Sequence, residues 1–388
     1  MRRDNPAALT WSGVTARRMA RQALLEPATG ASAADIARVM CGVHAQILPA
    51  AELSVGRRNG ATRSAVQQEL WVDRSLVKTF GPRGTVHLLA TADLPMWTGA
   101  LSTLPSSVPG FPEPIRFSPE QAEEVIAGIG AALADAELTV DELTEALRDR
   151  VGPWAVEETM PAFQVLWPRW RQLTSTAAHR GVLCFGHDRG RNVTYTNPHR
   201  WLPGLTPQDG ATAVPMLVRS YLHAYGPATP HHFAKWLNIP PRRAVQAFEG
   251  MADDLEEVEL EGSPAWVVAG DASAPDSAVT GIRLLPYFDA YVVAAQPRER
   301  LYPGESGTRA LSPSGQAGNY PVMLVDGVVG GVWHQKRTGR RLTSTVEPLA
   351  PMIATQRRQL HDEIALVGRV LEADPTLVIG EVTVGPHA

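Results

Sequence analysis

The sequence predicts an α+β chain in which one small unit, a few helices closed by a β-hairpin, repeats in tandem before a β-barrel-like C-terminal domain. Three observations predict it. A helix with a hydroxyl cap recurs at Ser32, Thr139 and Thr229, and each copy runs on into strand, turn and strand. Beyond residue 278 the pattern changes to short β-rich runs separated by Gly, Pro and Asp.

In the first unit, residues 1–104, apolar residues recur at helical spacing from Val14 to Leu25, and Ser32 caps a helix from Ala33 to Met40. That helix runs out in Cys41-Gly42-Val43-His44-Ala45-Gln46-Ile47-Leu48-Pro49, where Pro49 predicts a turn. A third helix over residues 62–71 leads to strands Leu76 to Phe80 and Thr85 to Leu89 around Gly81-Pro82-Arg83-Gly84. Three helices and a hairpin define a winged helix, a helix-turn-helix variant that docks on DNA.

The second unit, residues 118–205, carries the Thr139 helix, a helix from Trp167 to Ala178, and strands Val182 to Gly186 and Val193 to Thr196. The third, residues 206–272, carries the Thr229 helix with Pro230 at its first position, a helix from Arg242 to Met251, and strands Leu255 to Leu260 and Ala265 to Val268. The stretches Pro105 to Pro119 and Asp271 to Asp276 predict linkers. Strung round a concave face, three such units make a C-shaped arrangement. Residues 278–388 predict strands at Ile282 to Leu285, Ala290 to Val293, Pro321 to Val325 and Val328 to Trp333, then a hairpin with a cationic tip and a helix over residues 353–371.

Composition sets the class. The 388 residues exceed one ordinary core, and 44% hydrophobic with 20% charged residues describes a globular chain without a membrane span. Met1-Arg2-Arg3-Asp4-Asn5-Pro6 has no apolar run after its basic pair, so the expected location is the cytoplasm. Cys41 and Cys184 lie too far apart for a metal cluster or disulfide framework and read as buried thiols.

A net charge of −4 excludes a uniformly basic nucleic-acid binder, but the charges are segregated. Basic residues gather at Arg57, Arg58 and Arg63, at Arg169 and Arg171, and at Lys336, Arg337, Arg340 and Arg341. Arginine forks onto phosphates, although a GC-rich genome gives the same bias. The last group repels itself unless an anion neutralises it, which predicts phosphate contact. With Arg83 on the first wing, these residues (the Arg169 and Arg171 pair aside) are the candidate DNA-binding set.

His44 and Gln46 are the candidate catalytic pair. Two side chains at i and i+2 diverge on a helix but converge on one concave spot from a helix end or turn, where they hold a water between them. The alternative is that His44 caps the helix and Gln46 is a surface residue.

At this point the chain resembles the AlkZ-like winged-helix DNA glycosylases over nearly its whole length. The resemblance rests on His44-Ala45-Gln46, Arg83-Gly84-Thr85-Val86-His87-Leu88, Leu284-Leu285-Pro286-Tyr287-Phe288-Asp289 and Val325-Asp326-Gly327-Val328-Val329-Gly330-Gly331-Val332-Trp333. In the family the motif is usually Gln, an apolar residue, then Gln or Asp, beside the scissile glycosidic bond; here His44 stands first.

The resemblance implies excision of N3-alkyladenine, N7-alkylguanine or bulky adducts from double-stranded DNA, without a metal or other cofactor, in repair or self-resistance. The expected substrate is a bulky N7-alkylguanine of a genotoxic natural product, and the expected state a monomer without an obligate protein partner. Gln46 orients the water, and His44 either activates it or supports the sugar cation. As a water activator it must be neutral, so activity is expected to fall at acid pH. The alternatives are a non-catalytic tandem winged-helix regulator or lesion sensor and, more distantly, a hydrolase of another N-glycoside.

Overall fold

The computed structural model describes residues 6–106, 110–162, 165–275, 278–318 and 320–385. Strand β1 (Ala7–Leu9) leads to helix α1 (Trp11–Arg21), whose first turn is closed by the Thr10 side chain accepting from the Gly13 N–H. Ser32 and Asp35 form a reciprocal capping box on α2 (Ala33–Val39), which satisfies two N-terminal donors. The chain then turns through Cys41 at φ 53° and Gly42 at φ 94°. This carries it into strand β2 (Val43–His44), where helix periodicity had given no sign of a strand.

Pro49 does not mark a turn. It lies in the first turn of α3 (Leu48–Asn59), where its missing N–H costs nothing. Every residue from Ala50 to Asn59 is buried, including Glu52, Arg57, Arg58 and Asn59, so this helix has no polar face and no amphipathic signature. Helix α4 (Arg63–Trp71) follows behind a Thr62 cap. The expected hairpin is formed by β3 (Leu76–Phe80) and β4 (Val86–Ala90), and β2 joins it to give the order β2-β4-β3. Helix α5 (Leu94–Thr103) closes this part of the chain.

The second helix-and-hairpin set comprises α6 (Pro119–Leu133), β5 (Glu137–Thr139) and α7 (Val140–Arg150), with capping boxes at Ser118 and Thr139. The helix expected from Trp167 to Ala178 is not continuous. Strands β6 (Glu158–Ala162) and β7 (Val165–Pro168) form a separate hairpin, a 3₁₀ turn spans Arg169–Leu173, and α8 covers only Thr174–His179. Pro168 ends the strand and the alternation of large apolar residues favours extended backbone over helix. Strands β8 (Cys184–Phe185) and β9 (Thr194–Thr196) complete a sheet of order β5-β9-β8.

The third set holds α9 (Gly210–Tyr225), α10 (Pro230–Leu237), α11 (Pro241–Glu249) and the hairpin β10 (Leu255–Leu260) to β11 (Ser263–Val268). Strand β1 pairs parallel with β10, so the start of the chain lies on the third sheet and not with the first. The Asp271 stretch is likewise a tether, since Asp271 pairs with Arg17 at 2.9 Å and with Arg21. Within the two expected linkers, residues 107–109 and 276 lie outside the described residues.

In the C-terminal part, β12 (Ile282–Leu285) precedes α12 (Ala290–Ala294), a helix where a strand was expected. Asp289 caps it by accepting from the Tyr291 N–H. Short helices α13 (Arg298–Leu301) and α14 (Glu305–Ala310) lead to β13 (Val322–Val325), β14 (Val328–Thr338) and β15 (Arg341–Pro348), then α15 (Ala354–Leu371) and β16 (Asp374–Ile379). Among the described residues the sheet runs β12-β13-β14-β15-β16 with β12 and β16 as its edges, so the expected barrel-like sheet is an open half-barrel. Leu53 of α3 packs into the same core as Leu284, Trp333, Leu360 and Ile364. Helix α3 is therefore held between the first hairpin sheet and the C-terminal sheet. Cys41 and Cys184 are buried free thiols, and among the described residues no helix is long and apolar enough to cross a membrane.

Candidate active site

His44 is the last residue of β2 and stands opposite His87 of β4 in the antiparallel register. The two rings meet edge to face at 5.1 Å, and Phe288 stacks on the His44 ring at 4.7 Å. Phe288 is held at φ 56°, an uncommon backbone conformation for a bulky residue that costs on the order of 1 kcal/mol. Three of the segments that carry the family resemblance thus converge on one imidazole. His87 and Phe288 were within those segments, but only the pairing of β2 with β4 reveals the first as its neighbour, and only the packing of the turn before α12 reveals the second.

His44 is 8% exposed. Burial first, and the Arg83 charge second, push its pKa down to about 3. His87 is lowered as well, by burial and then by His44 and Arg83, while its Nδ1–H donates to the Thr85 carbonyl at 2.9 Å. The His44 imidazole is therefore neutral at any ordinary pH. The Gln46 backbone N–H approaches its Nδ1 at 3.5 Å, a long contact, and a ring accepting there carries its proton on Nε2.

The side chain of Gln46 goes elsewhere. It is exposed and lines a groove of about 480 Å³ with Phe80, Val86, Met160, Trp167, Arg171 and Tyr195, which His44 does not line. A second groove of about 610 Å³ continues from it past Phe80, Met160, Arg171 and Thr174 to Arg83 and Gly84. The convergence of both side chains on one concave spot is thus replaced by a buried His44 behind a groove-facing Gln46.

The expected basic residues divide into two groups. Arg57 and Arg58 are 5% and 0% exposed, and their guanidinium groups are bound to Glu363 at 3.0 Å and to both Asp289 oxygens at 2.8 Å. These two are structural ties between α3 and the C-terminal domain and offer nothing to a phosphate. A run of like charges in sequence cannot show that each partner arrives from more than 200 residues away. Arg63 pairs with the buried Glu52 at 3.4 Å. Arg83, at φ 62° in the hairpin turn, donates to the Trp236 carbonyl at 2.6 Å, and burial lowers its pKa to about 10.

Lys336, Arg337, Arg340 and Arg341 are all exposed, at the tip of the β14–β15 hairpin around Gly339. Arg337 also donates to the Leu371 carbonyl at 3.0 Å and so binds the C-terminal end of α15. Arg340 lies 3.6 Å from Asp374, both side chains largely in solvent.

A neutral buried imidazole, a groove-facing amide and a cationic hairpin fit a protein that handles nucleic acid. The chain belongs to the AlkZ-like DNA glycosylase family, whose model matches residues 37–370. It is 34% identical over 338 residues to the interstrand DNA cross-link repair glycosylase of Streptomyces sahachiroi, covering 84% of this chain and 87% of that protein. The fold is similar to the solved structure of the Streptomyces sahachiroi DNA glycosylase AlkZ with a TM-score of 0.77 at 30% identity, covering 96% of this chain and 100% of that one.

Proposed function

We propose that this chain is a monofunctional DNA glycosylase that hydrolyses the N-glycosidic bond of alkylated purines, bulky N7-alkylguanine above all, in DNA repair or self-resistance. The observation that carries the reading is Gln46 exposed on the groove, two residues after a neutral His44 fixed on β2. An N7-alkylated guanine is already cationic. Its glycosidic bond breaks with the electron pair leaving on the base, and water then adds to the sugar carbon and loses a proton. No acid for the leaving base is needed, only support of the sugar cation and a placed water. Gln46 orients that water.

His44, buried behind the groove, acts as a neutral electrostatic partner of the sugar cation and not as a group in contact with it. A base with a pKa of about 3 has little affinity for the proton that water gives up, so proton abstraction is the weaker of its two candidate roles. The helix-and-hairpin sets within residues 1–104, 118–205 and 206–272, with β1 added to the third, act as tandem winged helices that line a C-shaped channel for the duplex, and residues 278–388 bring the basic hairpin to its backbone. The protein works as a monomer.

One observation favours a non-catalytic lesion sensor instead, namely the burial of His44 against Phe288. Chromatography of a duplex carrying a defined N7-guanine adduct separates the two readings. Free modified base with an abasic site supports the glycosylase; retention of the intact adduct in a tight complex supports the sensor.

The hairpin gives a separate prediction. Neutralising Lys336, Arg340 and Arg341 together is expected to weaken binding to any duplex and to lower the slope of log K against log salt by about 0.9 for each phosphate that the hairpin no longer neutralises. Fluorescence anisotropy over a salt series measures it, and an unaltered slope places the hairpin off the DNA. Neutralising Arg337 as well also removes its bond to the end of α15, so the triple variant is the cleaner probe.

A further inference from the structure

The β6–β7 hairpin is a feature that hydrolysis of a glycosidic bond does not require. Met160 of β6 and Trp167 of β7 are a directly opposed cross-strand pair, and both line the groove beside Gln46. The Arg171 guanidinium lies 3.5 Å over the Trp167 ring. On the same hairpin Val165 and Leu166 remain 60% and 51% exposed, so it carries large apolar side chains that the fold does not bury. Phe80, Phe185 and Tyr195 line the same groove.

A methyl group on a purine occupies a small fraction of this space. A volume of about 480 Å³ walled by Phe80, Met160, Trp167, Phe185 and Tyr195, with Asp141, Arg171, Arg191 and Asn192 among its polar lining, accommodates a multi-ring ligand and offers polar groups to fix its orientation. Tryptophan and arginine present stacking faces, and methionine adapts its shape to an irregular surface.

We infer that Met160 and Trp167, backed by Arg171, form a subsite for the planar polycyclic aromatic substituent of a bulky purine adduct, and so set the preference for bulky over methyl lesions. This rests on the glycosylase reading above. Gln46 acts at the sugar while the hairpin holds the substituent.

The test is single-turnover base release by the full chain from two duplexes, one with a planar polycyclic N7-guanine adduct and one with 7-methylguanine. In Trp167→Ala the ratio of bulky to methyl release is expected to fall by about tenfold, the order of one aromatic stacking interaction. Met160→Ala lowers the ratio less, and Trp167→Phe restores most of it. Affinity for the bulky-adduct duplex relative to undamaged duplex falls in the same proportion, which provides the readout if the methyl lesion turns over too slowly. An unchanged ratio, or a loss equal for both lesions, overturns the subsite and leaves the glycosylase standing. No release from either duplex by the unaltered protein overturns both.

Discussion

Replacing His44 by alanine is expected to slow base release by about 10²–10³-fold while leaving affinity for adducted duplex nearly unchanged, because the ring acts on the transition state and not on phosphates. His44→Gln is expected to retain most of the rate. Both side chains are neutral and each offers a donor and an acceptor, so burial has made this imidazole resemble the amide usual at the position. The sign of the pH dependence follows. With a pKa of about 3 the ring gains its proton only in strong acid, so between pH 5 and 9 it imposes no fall in rate on the acidic side. The acid-limited activity that the sequence suggested is moved below that window. Single-turnover rates across pH 5 to 9 check it, and a rise in rate with a midpoint near pH 6.5 would return His44 to the role of a solvent-exposed base.

The largest effect on stability is expected from the ion pair behind the motif. Arg58 and Asp289 are both fully buried, joined by two bonds of 2.8 Å. Burial opposes ionisation of Asp289, but Arg58, the Ser54 hydroxyl and the Tyr291 N–H overcome it and hold its pKa below the usual range. Arg58→Ala leaves that carboxylate alone in the interior and is expected to cost about 3–5 kcal/mol, as is Asp289→Ala from the other side. Denaturant unfolding measures both. A cost below about 1 kcal/mol, the range of exposed pairs such as Arg340 with Asp374, would show that the pair does not hold α3 to the C-terminal domain.

These two residues also show what was legible in the sequence. Arg58 read as part of a basic cluster because its neighbours Arg57 and Arg63 are basic, while its partner lies 231 positions away. Local signals fared better. The hydroxyl caps at Ser32, Thr139 and Thr229 each open a helix, and Gly81 to Gly84 turns a hairpin, because caps and turns depend on backbone needs a few residues apart. Helix α3 was missed for the opposite reason. Packed on both sides, it shows no amphipathic period, and its Pro49 is as much a helix start as a turn.

The motif itself stood out, but its environment did not. Nothing near His44 in sequence announces His87 across the sheet or Phe288 from another part of the chain, whose rings pack against it, or the burial and Arg83 charge that keep it neutral. Likewise Met160 and Trp167 become neighbours only because β6 pairs with β7, and Trp167 lies on a strand where the start of a helix was expected.

Hydrolysis of a glycosidic bond by His44 and Gln46 is tested most directly by following release of the modified base from a duplex bearing a bulky N7-guanine adduct, with the unaltered protein beside the His44→Ala, Gln46→Ala double variant. The expected result is free adducted base and an abasic strand with the unaltered protein, and release no faster than spontaneous depurination with the double variant, both binding the duplex equally well. Release by the double variant at the unaltered rate would contradict the assignment.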